Sequence, residues 1–481
     1  MKQYIEVWGP NRCAAPRLTA LCLAIFTLAW TASAAVAAPE FGEWSTGATL
    51  RIGLYHGSVA GEKERFALAA LRQEGRWPGS RTHLIDTLNL GTHLVVISDV
   101  ETNAPLFSRG FSSPLEAEAT WSATTVFVRI PMPRRRVQLV VKSRDVGNIG
   151  FVDVWSGVLD PATAAIDRSP LTTRATVLPI LDNGDPATKV DVAILGDGYA
   201  IADQQKFVAD ARRASEQLFA AEPFKSRSSA FNVSAVFVPS EDSGISSPLE
   251  DRWRRTAFGS SYNSLNIERR IDTVNDTAVH EAAATVPSDF IILLTNSRRY
   301  GGSARYQRFS VAAADSGFSP YLVVHEFAHH FAGLEDEYYT LAECNRGPKV
   351  EPWAPNVTTT TDREGLKWKS LLQPGVAIPS RWSKAEYEKA DEEFASRYFA
   401  MRQQGIAEAD VERFIVGAVS RNREILAKGA TSGVGLFEGA ASEACGLFRP
   451  EHDCTMFTLV PDRFCSVCRH AIERVIEFFA A

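Results

Sequence analysis

The stretch SPYLVVHEFAHHFAG, residues 319–333, constrains this chain more than any other. Its apolar residues fall at helical spacing, Ser319 and Pro320 supply a cap and first-turn pair, and Gly333 is a C-terminal stop. Val323, Val324, Phe327, Ala328 and Phe331 surround two histidines with mostly bulky apolar groups, as in a helix packed inside a core. A charged helix end with solvated histidines explains that pattern poorly.

His325 and His329 are four residues apart and share a helical face. Both rings can therefore reach one zinc ion, while Glu326 addresses the water at that metal. This is H-E-x-x-H in helical context: His325 and His329 are candidate metal ligands and Glu326 the candidate catalytic residue. His330 points to a different face and is not expected to be a ligand. A catalytic zinc site needs a third protein ligand and an open position. Three acids follow the glycine: Glu335, Asp336 and Glu337. In the pattern H-E-x-x-H-x-x-G-x-x-H the third ligand lies three residues past the glycine, which here is Asp336. Counted from His325, the same offset falls on Glu335, because one extra residue separates His329 from Gly333. The turn decides the geometry, so Asp336 is the expected ligand and Glu337 the runner-up.

The rest of the chain divides by texture. From about Phe41 to Pro161, runs such as ATLRIGLYH, HLVVISDV, TVFVRI and VQLVVKS alternate between turn-forming clusters. That is the pattern of half-buried antiparallel strands, and it predicts a β-sandwich over residues 38–165. No histidine-acid cluster or nucleophile elbow in it reads as catalytic, so it reads as a binding or packing module. A proline-rich seam runs from about Asp160 to Pro186. Beyond it, VDVAILGDGY, QQKFVADARRASEQLFAAE, FNVSAVFVPS and DFIILLTNS alternate strand with helix, which predicts an α/β domain over residues 180–481. The GDGY glycines lack dinucleotide-loop spacing and read as a strand-end turn. Residues 380–428 are helical and charged, as in a solvated insertion.

A weakly basic start, the apolar LTALCLAIFTLAW and the small residues of TASAAVAAPE predict a cleaved export signal over residues 1–37. An uncleaved anchor is the alternative, since Leu18 to Ala37 nearly spans a bilayer. The favoured reading places the mature protein outside the cell or in the periplasm, with no stable membrane insertion. A net charge of −6 offers no field for nucleic acid, and oligomeric state leaves no signature. After cleavage the cysteines are Cys344, Cys445, Cys454, Cys465 and Cys468, an odd count expected to leave one unpaired. Without a second CxxC, Cys465-Ser-Val-Cys468 is read as structural, neither a redox dithiol nor half of a zinc ribbon. The expectation is disulfides that pin the C-terminal segment to the loop at Cys344.

The run HEFAHHFAGLEDEYY resembles the active-site signature of the IgA-peptidase family of zinc metalloproteases, whose members read close to HEFGHxFxGLADEYY. Further similarity lies in LRQEGRWPGSRTHLID and FSRGFSS, then in ILGDGY, EPF, FNVSAVFVPSEDSG, FGSSYN, DFIILLTN and YGGSARY. LFRPEHDCTMF and FCSVCRHAIERV complete it. The resemblance implies a metzincin-like zincin catalytic domain, zinc on His325 and His329, Glu326 as catalytic glutamate, and an acid at Asp336. Glu335 stands where relatives usually have alanine. Met456, in CTM, falls where such a fold places a methionine turn beneath the metal, with a core methionine as the other reading. The expected activity is zinc-dependent hydrolysis of peptide bonds in a protein or peptide substrate. Glu326 is the general base, and Tyr338 or Tyr339 is a candidate oxyanion donor. Two alternatives remain: a non-peptidase zinc amide hydrolase, and a surface-binding protein with a non-catalytic metal.

Overall fold

The computed structural model describes residues 40–59, 63–115, 121–340, 344, 347–428 and 432–480. The expected export signal lies outside the described residues. A short helix α1 (Phe41–Trp44) leads into β1 (Ser45–Val59), β2 (Arg65–Arg76), β3 (His93–Asp99) and β4 (Pro105–Phe111). Then come β5 (Trp121–Pro133), β6 (Val137–Arg144), β7 (Phe151–Leu159) and the short β8 (Ile166–Asp167). These make two four-stranded sheets, ordered β5-β1-β2-β8 and β4-β3-β6-β7. Period-two alternation sets which side each strand buries. In β3, His93, Val95, Ile97 and Asp99 face inward while the residues between them are half-exposed. Leu50, Ile52 and Leu54 of β1 are fully buried, and with Val128 of the neighbouring β5 they share one apolar core with Val95, Ile97 and Leu139 from the other sheet.

The second half builds a six-stranded mixed sheet. Its elements are β9 (Thr176–Leu181), β10 (Val190–Asp197), α2 (Gln204–Leu218), β11 (Phe231–Phe237), α3 (Asp276–Ala283), β12 (Phe290–Thr295), β13 (Gly302–Arg305) and β14 (Phe309–Ala313). The order is β13-β14-β12-β10-β11-β9. The four inner strands run parallel and the two edges antiparallel. Every residue of β10 and β12 is buried, as in parallel strands covered on both faces. GDGY closes β10 as a turn: Gly198 has φ +73°, and a Cβ there would meet the Gly244 carbonyl at 2.5 Å.

Helix α4 (Ser319–Ala332) follows β14 and packs on this sheet, with Phe331 4.5 Å from the Phe290 ring centre. Gly333 ends it in the left-handed region (φ 59°). Its start differs from expectation: Phe318 is the N-cap and Ser319 is already helical, its hydroxyl donating to Gln217 Oε1 at 3.3 Å. The expected insertion is a helical hairpin of α5 (Lys384–Gln403) and α6 (Glu408–Ala427). It is not wholly solvated, because Glu412 of α6 accepts the Gly317 amide at 2.6 Å, on the loop that enters α4. Last come β15 (Tyr339–Thr340), β16 (Phe437–Ala440) and β17 (Ser442–Arg449) in a small sheet ordered β15-β17-β16, then α7 (Ser466–Phe479).

Residues 38–481 form one compact unit. Arg109 of β4 lies 4.6 and 4.7 Å from the ring centres of Phe478 and Phe479 on α7, tying the front sheets to the last helix. None of the described helices is long and apolar enough to cross a membrane.

Candidate active site

On α4 the one-turn spacing of His325 and His329 sets their Nε2 atoms 3.2 Å apart. Gly333 reverses the chain and returns Asp336, whose Oδ1 lies 3.2 Å from His325 Nε2 and 3.1 Å from His329 Nε2. Each ring is oriented from behind by a backbone carbonyl: His325 Nδ1–H donates to Thr455 O at 3.2 Å and His329 Nδ1–H to Leu334 O at 2.5 Å. Those bonds leave both Nε2 lone pairs facing Asp336, the arrangement metal-bound histidines adopt. Asp336 Oδ1 is buried and accepts no hydrogen bond of good geometry. Donors about 2.0–2.1 Å from a tetrahedral zinc sit about 3.3 Å apart, so two nitrogens and one oxygen with edges of this length fit such an ion. Burial disfavours a charged His329, yet the Asp336 carboxylate pushes its pKa up to about 10, so a proton and a cation compete for the same donors.

Glu326 lies beside the triad against β13; a Cβ on Gly302 would come 2.9 Å from its Oε1. Burial raises the Glu326 carboxyl above the ordinary range, with His325 and His329 pulling the other way. His330, on a different face, is a core residue: Nδ1–H donates to Arg305 O and Nε2 accepts the Ile291 amide. Burial pushes its pKa down to about 3.

The three acids after the glycine divide between different partners. Asp336 alone meets both imidazoles. Glu335 stays in the cleft wall, accepting the Asp336 amide at 3.1 Å. Glu337 is fully buried and turns away, so the runner-up for third ligand is not beside the histidines. Asn356, which carried no sequence signal, holds this turn: its Oδ1 accepts the Glu335 amide, and its Nδ2 donates to Glu335 O at 2.9 Å and to Glu337 Oε1 at 3.0 Å.

The two tyrosines also separate. Tyr338 lines the cleft, with Arg269 Nη2 donating to its hydroxyl at 3.5 Å. Tyr339 is buried among Trp382, Tyr387 and Phe457. Met456 is fully buried; its carbonyl accepts the Glu337 amide at 2.7 Å, next to the Thr455 carbonyl that orients His325.

The cleft above the triad has a volume of about 650 Å³ and is walled on one side by the front sheets. The N-terminal half also brings to the cleft a histidine–acid cluster not singled out from the sequence. His56 and His93 both donate to Glu64 Oε2 at 2.9 Å, and all three line the cleft. They come from β1, β3 and the connection before β2, so no local spacing reveals them. Their other ring nitrogens meet Ser113 and Thr92 at 2.8 Å, which makes this a satisfied hydrogen-bond network.

The expected cysteine pairing is met at the Cys344 loop only, and three cysteines, not one, are left unpaired. Cys344 and Cys445 lie at disulfide distance, but Cys454, Cys465 and Cys468 are free and buried. Their sulfurs gather instead around Glu337.

Comparison with known families supplies the class. Residues 178–476 match IgA Peptidase M64 and residues 40–152 match the Peptidase M64 N-terminus. The chain belongs to the IgA peptidase M64 family and is by that membership a metallopeptidase, with protein as its substrate class. A comparison with curated proteins gives no match.

Proposed function

We propose that this chain is an exported zinc-dependent endopeptidase. The reading takes the two front sheets as a β-sandwich and the six-stranded sheet with α4 as a metzincin-like zincin body. His325, His329 and Asp336 are its zinc ligands and Glu326 its general base. One observation carries it: His325 Nε2, His329 Nε2 and Asp336 Oδ1 converge with edges of 3.1 to 3.2 Å beside Glu326 on one cleft wall. The leader-like residues 1–37 support export.

When bound, zinc supplies Lewis acidity to the scissile carbonyl and to the attacking water. Glu326 takes the proton of that water and hands it to the leaving amine; a carboxyl raised by burial suits both halves of the transfer. Tyr338, held by Arg269, is placed to donate a hydrogen bond to the developing oxyanion. The substrate backbone lies extended along β13, the edge strand. The Gly302 amide and carbonyl turn outward to Arg269 and Ile271, so by two-residue alternation those of Ala304 face the same side, at the cleft. Strand addition there brings a peptide bond past Glu326.

The test is cleavage of unfolded casein by the purified full chain, with and without chelator. Loss on chelation and recovery with added zinc support the reading. Cleavage that persists in a metal-free preparation overturns it.

A further inference from the structure

Three buried thiols in a chain read as exported require an explanation, because oxidising compartments pair exposed cysteines. Cys454 precedes the Thr455 carbonyl that orients His325, Cys465 is the N-cap of α7, and Cys468 lies in its first turn. Cys454 Sγ is 3.8 Å from Cys468 Sγ, far beyond the roughly 2.0 Å of a disulfide. Around a tetrahedral ion with metal–sulfur bonds of about 2.3 Å, two sulfurs sit about 3.8 Å apart.

Glu337 supplies the remaining corner. Its Oε1 lies 3.2 Å from Cys468 Sγ and 3.8 Å from Cys465 Sγ, on either side of the roughly 3.5 Å expected for a shared zinc. All four ligand atoms fall within 4.8 Å of one another, which suits a single ion and is too tight for a polynuclear cluster. All four residues are buried, and Glu337 Oε2 has no hydrogen-bond partner. Backbone amides point at the sulfurs: Cys465 N–H at Cys454 Sγ (3.3 Å) and Cys468 N–H at Cys465 Sγ (3.4 Å). Amides at a helix N-terminus favour thiolate over thiol. The fully buried Arg449 guanidinium offsets negative charge at Glu337.

We propose that Glu337, Cys454, Cys465 and Cys468 form a second metal centre: a closed, tetrahedral, three-sulfur one-oxygen site for a zinc-type divalent cation. With four protein ligands it leaves no position for water, so it is structural. Its place gives it a purpose. Glu337 directly follows Asp336, and its amide is bonded to Met456 O beside the Thr455 buttress of His325. The ion therefore clasps together the two segments that set Asp336 and His325. It also keeps the thiols from oxidising.

The test uses the full chain and its His325→Ala/His329→Ala double variant, which removes two donors of the cleft site. Elemental analysis is expected to give about two zinc per chain in the parent and one in the double variant. Cobalt substitution of the double variant is expected to show the near-ultraviolet thiolate-to-cobalt charge-transfer band, which nitrogen and oxygen donors cannot produce. Should the double variant not fold, the same band in the cobalt-substituted parent decides. Absence of the band, or peptide mapping that finds a disulfide between any two of Cys454, Cys465 and Cys468, overturns the proposal. The two sites fail distinguishably. A single zinc lost in the double variant removes this centre and leaves the cleft site, whereas a single zinc retained there does the reverse.

Discussion

Replacing Glu326 with glutamine keeps the side chain's shape and removes its ability to take a proton. Turnover on casein is expected to fall by about 10²–10⁴-fold with metal content unchanged, followed by steady-state kinetics beside elemental analysis. Full activity in Glu326→Gln would reassign the base. Asn356 acts only through other residues: Asn356→Ala frees the Glu335 amide and carbonyl and one Glu337 oxygen in a buried turn. Metal affinity or activity is expected to drop about 10–100-fold, and restoration of activity by excess zinc separates this from simple unfolding. At this scale the sequence was legible where chemistry repeats along one helix: His325, Glu326 and His329 are set by a 3.6-residue turn, and the glycine located Asp336. It was illegible where partners are distant. Glu337 stands far from Cys465 in the chain, and Glu64 joins histidines from two sheets. Cysteine counting failed for the same reason, since parity says nothing about which sulfurs meet in space.

Among the elements, β10 carries a pH dependence. Asp191 at its start accepts Asn232 Nδ2 at 2.9 Å, and Asp289, just before β12, accepts the Asp191 amide at 3.0 Å. Burial first, then the neighbouring Asp289, pushes Asp191 up to about 8; burial pushes Asp289 up to about 6. An unfolded aspartate titrates near 3.9, so between about pH 4 and pH 8 the folded state holds more protons than the unfolded one. This pair's contribution to stability is therefore full below pH 4 and lost as pH rises to 8. Urea midpoints of Asp191→Asn are expected to be flatter across that window than the parent's; parallel curves would refute the coupling. On the sheet edge, Gly302→Ala places a Cβ 2.8 Å from Val311 O and 2.9 Å from Glu326 Oε1. The expected result is a fall in kcat with an unchanged circular dichroism spectrum. Strands with alternating or wholly apolar runs were readable from sequence. β2, RFALAALRQEGR, was not, because alanine, leucine, glutamine and glutamate favour helix and only pairing with β1 overrides them.

For the molecule as a whole, α7 joins the central sheet to the front sheets. Phe479 packs on Phe290 of the central sheet at 4.9 Å and under Arg109 of the front sheets. Phe479→Ala is expected to cost about 3–5 kcal/mol in denaturant unfolding, with front and rear halves melting in one transition. Two separate transitions in the parent would show that the halves fold independently. The division into a β-rich part and an α/β part was visible as a change in periodicity, but the docking between them was not, since Arg109 and Phe479 carry no mutual pattern. That docking puts His56 and His93 across from the candidate hydrolytic residues, on the opposite bank of the same channel. Selectivity for one polypeptide over another can thus drift through changes in the front half while bond-breaking stays untouched. Exchanging that half between relatives should transplant preference without rebuilding the engine.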